Sequence, residues 1–229
     1  MISNHSNLAR PIPRRFRNRR EAGRLLVPLL RQFATRRDVE VLALPRGGVP
    51  IAYEVAIALA APLDVFTVRK LGVPGHEEFA MGAIGSGGAC FLNEDVIGAL
   101  HISCEQIEAV AEREHRELNR REHLYRDSRP YPKVEGRSVI LIDDGIATGA
   151  SMIVALEALR HKRPREIIVA VPVAAAESCS DVRKHADELI AYETPEPFEG
   201  VGAWYEAFAQ VTDDEVRALL DRAYLRYTS

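Results

Sequence analysis

The sequence predicts an α/β domain with a mostly parallel central sheet and helices on both faces. Three observations carry this. Short apolar runs rich in β-branched residues recur at 39–44, 63–68, 138–143, 167–173 and 188–192. Runs of helical character separate them, at 49–61, 149–161 and 175–185. Strands that are apolar throughout belong to sheets covered on both faces, and intervening helices make the crossovers of a parallel sheet. The third observation is size. A chain of 229 residues, 47% of them hydrophobic, can bury one core of this kind.

The elements follow in order. Residues 1–13 are polar, basic and interrupted by prolines, and read as a flexible N-terminal extension to a single domain over 14–229. From 18 to 37, Ala22, Leu25, Leu26, Leu29, Leu30 and Phe33 recur at helical spacing with arginines between them, which predicts an amphipathic helix. The first strand ends at Pro45-Arg46-Gly47-Gly48 and the second at Arg69-Lys70. Residues 71–78 are rich in turn formers. Residues 80–84 and 89–92 flank Gly85-Ser86-Gly87-Gly88 and suggest a hairpin. Asn93 is placed to cap a short helix. Ser103 with Gln106 makes a capping box for a long charged helix that reaches Arg126, and Thr212 caps a last helix over 213–224.

Charge and cysteine content exclude whole classes. Thirty basic against 33 acidic side chains give a net charge of -3, so the chain as a whole is neither a basic nucleic-acid coat nor an acidic tail. The average conceals an asymmetry. Residues 1–37 hold ten arginines and one acid, whereas the remainder holds 20 basic and 32 acidic residues. The arginines of the 18–37 helix read either as its solvated face or as a contact for RNA or another polyanion. Cys90, Cys104 and Cys179 form no CxxC pair, so packing is their default role and a reducing, cytoplasmic setting is expected. His101, His115 and His123 lack a metal-site spacing and read as surface residues. The longest apolar stretch, 49–63, is too short for a bilayer and contains Glu54, so no membrane association is expected. The N-terminus has no apolar segment of the secretory kind.

The strongest signal is the run Val139-Ile140-Leu141-Ile142-Asp143-Asp144-Gly145-Ile146-Ala147-Thr148-Gly149-Ala150-Ser151. It reads as a buried strand, a loop and a helix start. Ligands of open α/β sheets bind at the carboxyl ends of strands, where this acidic pair falls. Backbone N–H groups at the helix start, with the Thr148 and Ser151 hydroxyls, suit a phosphate. Asp143 and Asp144 would repel that phosphate. They suit sugar hydroxyls, or a divalent cation carried by the ligand. The run is neither a Walker A loop nor a GxGxxG fingerprint.

This run resembles the 5-phosphoribosyl-1-pyrophosphate (PRPP) motif of type I phosphoribosyltransferases. Pro45-Arg46-Gly47-Gly48 resembles the pyrophosphate loop of that family, and Arg69-Lys70 the basic pair that opens its catalytic loop. The resemblance covers a core of roughly 38–173. It implies a type I phosphoribosyltransferase-like fold with a small hood, here from about 93–130 and 195–210. It also implies a homodimer as the expected assembly. The implied chemistry is Mg2+-dependent transfer of the 5-phosphoribosyl group from PRPP to a nitrogen acceptor, most simply a nucleobase, with release of pyrophosphate. In that scheme Asp143 and Asp144 hold the ribose hydroxyls and lie near Mg2+. Gly145, Ala147, Thr148, Gly149, Ala150 and Ser151 cradle the 5-phosphate. Arg46, Gly47, Gly48, Arg69 and Lys70 meet the pyrophosphate. Residues 71–79 form a lid, hinged at Gly72 and Gly75, in which His76, Glu77 and Glu78 are acid/base candidates. The catalytic set is Asp143, Asp144, Lys70 and Glu77.

One departure from the family pattern is informative. Enzymes of the family that salvage hypoxanthine and guanine carry an acid three positions after the acidic pair, and here that position is Ala147. The resemblance thus points away from a 6-oxopurine acceptor. Trp204 and Phe198 are the candidates to stack on a flat acceptor, with Tyr205 and Phe208 near them; the same aromatics read equally as hood packing. The alternative function is a PRPP-sensing regulator that binds RNA or DNA through the arginine-rich N-terminal region. A weaker third is another phosphoribosyl-binding enzyme, such as a hydrolase.

Overall fold

The computed structural model describes residues 15–126 and 129–228. The 1–13 extension lies outside them. The central sheet holds β1 (Val39–Ala43), β2 (Leu63–Val65), β6 (Ser138–Ile142), β7 (Glu166–Val173) and β8 (Glu188–Glu193) in the order β2-β1-β6-β7-β8. Every pairing in it is parallel. Side chains alternate across it with period two. Val39, Val41, Ala43, Ile140, Ile142, Ile168 and Ala170 face one apolar cluster, with α1 (Arg19–Leu26), α2 (Val49–Leu59) and α7 (Asp213–Thr228). Leu42, Val139, Leu141, Val169 and Val171 face another, with α5 (Ala150–Arg160) and α6 (Ala176–His185). Both faces are therefore covered, which is why the inner strands β1, β6 and β7 are mostly apolar along their length.

A second, antiparallel sheet holds β3 (Val68–Val73), β4 (His76–Gly85) and β5 (Ala89–Leu92). Leu71, Val73, Met81 and Ile84 pack there against Val110 and Leu118 of α4 (Cys104–Arg126), beside the short α3 (Glu94–Ala99). The caps read from the sequence are present. Asn93 accepts from the Val96 amide, Ser103 and Gln106 exchange bonds, and Thr212 accepts from the Glu215 amide.

Three expectations change. The 18–37 helix is interrupted: α1 ends at Leu26 and a 3-10 turn runs Val27–Phe33. Pro28 lacks the N–H that the α-helical ladder needs. The strand predicted over 63–68 stops at Val65, and the chain crosses to the second sheet as the Thr67 amide bonds Ser86 Oγ. Arg69 and Lys70 consequently lie within β3, paired to β4, rather than at the end of a strand of the main sheet. The turn-rich 71–78 segment is strand, tight turn and strand, because β3 and β4 bond through most of its length.

Candidate functional site

The site is set by register. Ala43 of β1 lies opposite Ile142 of β6, so the loops that follow both strands leave the sheet side by side. The Leu44 amide extends the ladder to Ile142 O at 2.9 Å. Pro45-Arg46-Gly47-Gly48 then folds against Asp143-Asp144. A Cβ on Gly48 would lie 2.5 Å from Ile142 O and 2.9 Å from Leu44 O, and one on Gly47 would fall on the Asp144 carboxylate, 2.6 Å from its Cγ. Only glycine permits this approach of two backbones.

Past the acidic pair, Ala147, Thr148, Ala150 and Ser151 are exposed, and Gly149, in the left-handed region, opens α5. The first amides of an α-helix have no partner within it, so this loop presents donors to solvent. Gly145 meets the 201–204 turn: a Cβ there would lie 2.7 Å from a Val201 methyl carbon.

Asp143 and Asp144 are half-buried and adjacent. Asp143 Oδ1 accepts from the Asp144 amide at 2.8 Å. Burial, and then the neighbouring Asp144 charge, push the Asp143 carboxyl well above its ordinary range. Burial raises Asp144 as well, against hydrogen bonding and charge from Arg19, which pull it down. Arg19 Nε lies 2.9 Å and its Nη2 2.8 Å from Asp144 Oδ2. Tyr205 donates its hydroxyl to Asp144 O at 2.6 Å.

The basic side chains have partners too. Arg46 Nη1 lies 3.5 Å from Asp213 Oδ1, which also accepts from Tyr125 at 2.6 Å. Burial and this bond push the Tyr125 phenol up to about 12. Arg69 pairs with Glu114 of α4 at 2.6 Å. Burial opposes the Glu114 charge, but bonds from Arg69 and Arg113 outweigh it and hold the carboxyl below its ordinary range. Lys70 Nζ donates to Glu78 O at 2.9 Å. Glu77 stands exposed near the tip of the β3–β4 hairpin. Asp143, Asp144, Gly145, Gly47 and Gly48 are thus brought together, while Arg69, Lys70 and Glu77 stand on the hairpin.

The family described as "Phosphoribosyl transferase domain" matches residues 17–206. The chain belongs to the phosphoribosyl transferase family. Among relatives, "Putative phosphoribosyl transferase Rv0571c" of Mycobacterium tuberculosis (strain ATCC 25618 / H37Rv) is 43% identical over 209 residues, covering 91% of this chain. The chain spans about half that relative's length, 47%. The crystal structure of TT1426 from Thermus thermophilus is 44% identical, with a TM-score of 0.82 over 90% of this chain and 97% of that one.

In this member of the phosphoribosyl transferase family, the candidate acceptor-stacking residues are partly buried and take part in packing. Trp204 and Phe198 pack on a satellite cluster of Phe16, Ala22, Val173 and Tyr205, and the buried Trp204 Nε1 has no partner among the described residues. The cause is Phe16, whose amide bonds Trp204 O and whose carbonyl accepts from Glu206, both at 2.8 Å. Phe208, 38% exposed, is the more open ring. Arg19 was missed as a site residue. It sits in a run of arginines with nothing in the sequence to single it out. Of the described arginines in 15–37, Arg17, Arg19, Arg20, Arg24 and Arg36 pair with acids of this chain.

A cavity of about 610 Å3 lies elsewhere, lined by Phe66, Tyr131, Lys133 and Lys162 among others. Lys162 follows the far end of α5, ~16 Å along an eleven-residue helix from the phosphate-type loop, so this cavity is not the site of the acidic pair. No group of three or more His, Cys, Asp or Glu converges to hold a metal among the described residues. The donor set that does exist, two carboxylates beside an anion-type loop, suits a cation that keeps its waters and substrate phosphates. No helix among the described residues is long and apolar enough to cross a membrane.

Proposed function

We propose that this chain transfers the 5-phosphoribosyl group of PRPP to a nitrogen acceptor, a nucleobase in the simplest case, and releases pyrophosphate. The observation that carries this reading is the contact of two loops. The Gly47-Gly48 backbone lies against the acidic pair, so the Arg46-containing loop for a leaving pyrophosphate and the acceptors for a ribose meet at the carboxyl end of two neighbouring strands.

Displacement at the ribose C1 asks the protein for placement and charge more than covalent work. Asp143 and Asp144 accept hydrogen bonds from the ribose hydroxyls. The amides of 147–151, with Thr148 and Ser151, hold the 5-phosphate. Gly47, Gly48 and Arg46 meet the pyrophosphate. Arg46 and Asp213 are each about a third exposed, so their pair is weak and yields to a polyanion. Lys70 exchanges Glu78 for the same anion when the 71–79 hairpin closes, which brings Glu77 toward the acceptor and excludes water. Asp143 and Asp144 would be the residues beside a Mg2+ ion brought in by the substrate, which would supply neutralisation of the leaving group. Ala147 leaves the third position after the pair without an acid, which favours an acceptor other than a 6-oxopurine.

Calorimetric titration with PRPP and Mg2+ tests this without knowledge of the acceptor. Saturable binding by the intact chain, lost in Asp143→Asn/Asp144→Asn, is the expected result, and pyrophosphate release then screens the bases. An intact chain that binds no PRPP would overturn the reading.

A further inference from the structure

We propose that Arg19 is a positioning residue for the ribose-binding carboxylate, clamping Asp144 to the 195–210 segment. The inference rests on the phosphoribosyl reading above. Its basis is a three-point contact across the chain. The guanidinium places Nε and Nη2 on a single oxygen, Asp144 Oδ2. It turns Nη1 to Ala209 O at 2.8 Å. Its plane covers Phe208, 3.9 Å from the ring centroid. The Arg19 side chain is only 11% exposed, so these contacts are shielded from competing water.

Each contact does a separate job. The bonds to Oδ2 fix the Asp144 rotamer and leave Oδ1 outside the pair, as the acceptor for a hydroxyl. The bond to Ala209 O anchors the arginine at the far side, and Phe208 blocks the guanidinium from swinging out. Tyr205 holds the Asp144 backbone through its carbonyl. Carboxylate and peptide are thereby gripped by different groups, Arg19 from α1 and Tyr205 from the end of the 201–204 turn. A lysine cannot reproduce this. Its ammonium is a point donor, whereas the planar fork reaches two acceptors at fixed angles.

The test separates ribose from pyrophosphate. PRPP, ribose 5-phosphate and inorganic pyrophosphate are titrated with Mg2+ into the full chain, Arg19→Gln and Arg19→Lys, and the thermal midpoint of each is recorded. Arg19→Gln is expected to weaken PRPP and ribose 5-phosphate by about 10- to 100-fold, the range for hydrogen bonds to a charged group. Pyrophosphate affinity falls much less, because that ligand meets Gly47, Gly48 and Arg46 directly and the acidic pair only beside its Mg2+. Arg19→Lys recovers part of the loss. Unchanged PRPP affinity in Arg19→Gln overturns the proposal and leaves the phosphoribosyl reading standing. An equal fall for all three ligands, with a lowered midpoint, also overturns it, since that is general loosening. An intact chain that binds no PRPP overturns the reading itself, and this proposal with it.

Discussion

Gly48 shows how narrow the tolerance is where β1 and β6 release their loops. An alanine there puts a methyl 2.5 Å from Ile142 O and 2.9 Å from Leu44 O, both backbone atoms that cannot rotate away. Gly48→Ala is expected to cost ~1–3 kcal/mol, the usual penalty for overpacking, read as a lower urea midpoint. Pyrophosphate binding should fall in the same variant, because the methyl lifts the loop from Asp143. The acidic pair and this glycine were legible in the sequence. Four apolar residues followed by two acids leave little else for those acids to do than meet a ligand, and Gly-Gly at a strand end announces a backbone approach. Arg19 was not legible. Its partner is 125 positions away, and ten arginines in 37 residues hide one that matters.

At the scale of the element, β1 carries an unusual passenger. Glu40 is 4% exposed within a strand that is otherwise wholly apolar. Burial is the main cause that pushes its carboxyl up to about 8; Arg137 opposes this and Asp64 adds to it. The folded chain therefore keeps a proton that the unfolded chain gives up near the ordinary carboxylate value. Stability from this group is full below about 4.5 and is lost as pH rises through about 8. Glu40→Gln should flatten that dependence. Its advantage over the parent grows from pH 4.5 to 8 and then levels, at on the order of 2 kcal/mol once the partly exposed Arg137 partner is allowed for. Urea midpoints at pH 5 and pH 9 check it; equal differences at both would contradict it. Periodicity located the helices after β1, β6 and β7 and both early caps. It failed where the chain changes sheets at Thr67, because strand-forming residues, β-branched Val65, Thr67 and Val68 with Phe66, continue from one sheet into the next. It failed again at Pro28, where helical spacing persisted through a residue that the ladder rejects.

For the whole molecule the question is where the N-terminal charge goes. Among the described residues of this region, five of the eight arginines in 15–37 pair with acids inside the structure, which reduces the free positive field available to a nucleic acid. Binding of a structured RNA is therefore expected to be weak and to vanish between 50 and 200 mM salt. Tight binding that survives at the higher salt, and is lost with residues 1–14, would favour the regulatory alternative. The net charge foretold none of this pairing, since it sums arginines and acids without regard to which of them touch.

Phe16 and Tyr205 form an isolated parallel bridge outside the strands, Tyr205 holds Asp144, and Asp213 holds Arg46. The ligand-facing edge is thus closed by segments from opposite ends of the chain order. During synthesis, the nascent polypeptide carries its entire PRPP-type motif once Ser151 is made, yet it lacks the groups that brace that motif for roughly sixty residues more. Translation arrested in that interval, or proteolysis that removes 201–213, leaves a chain with a complete signature and an unbraced site.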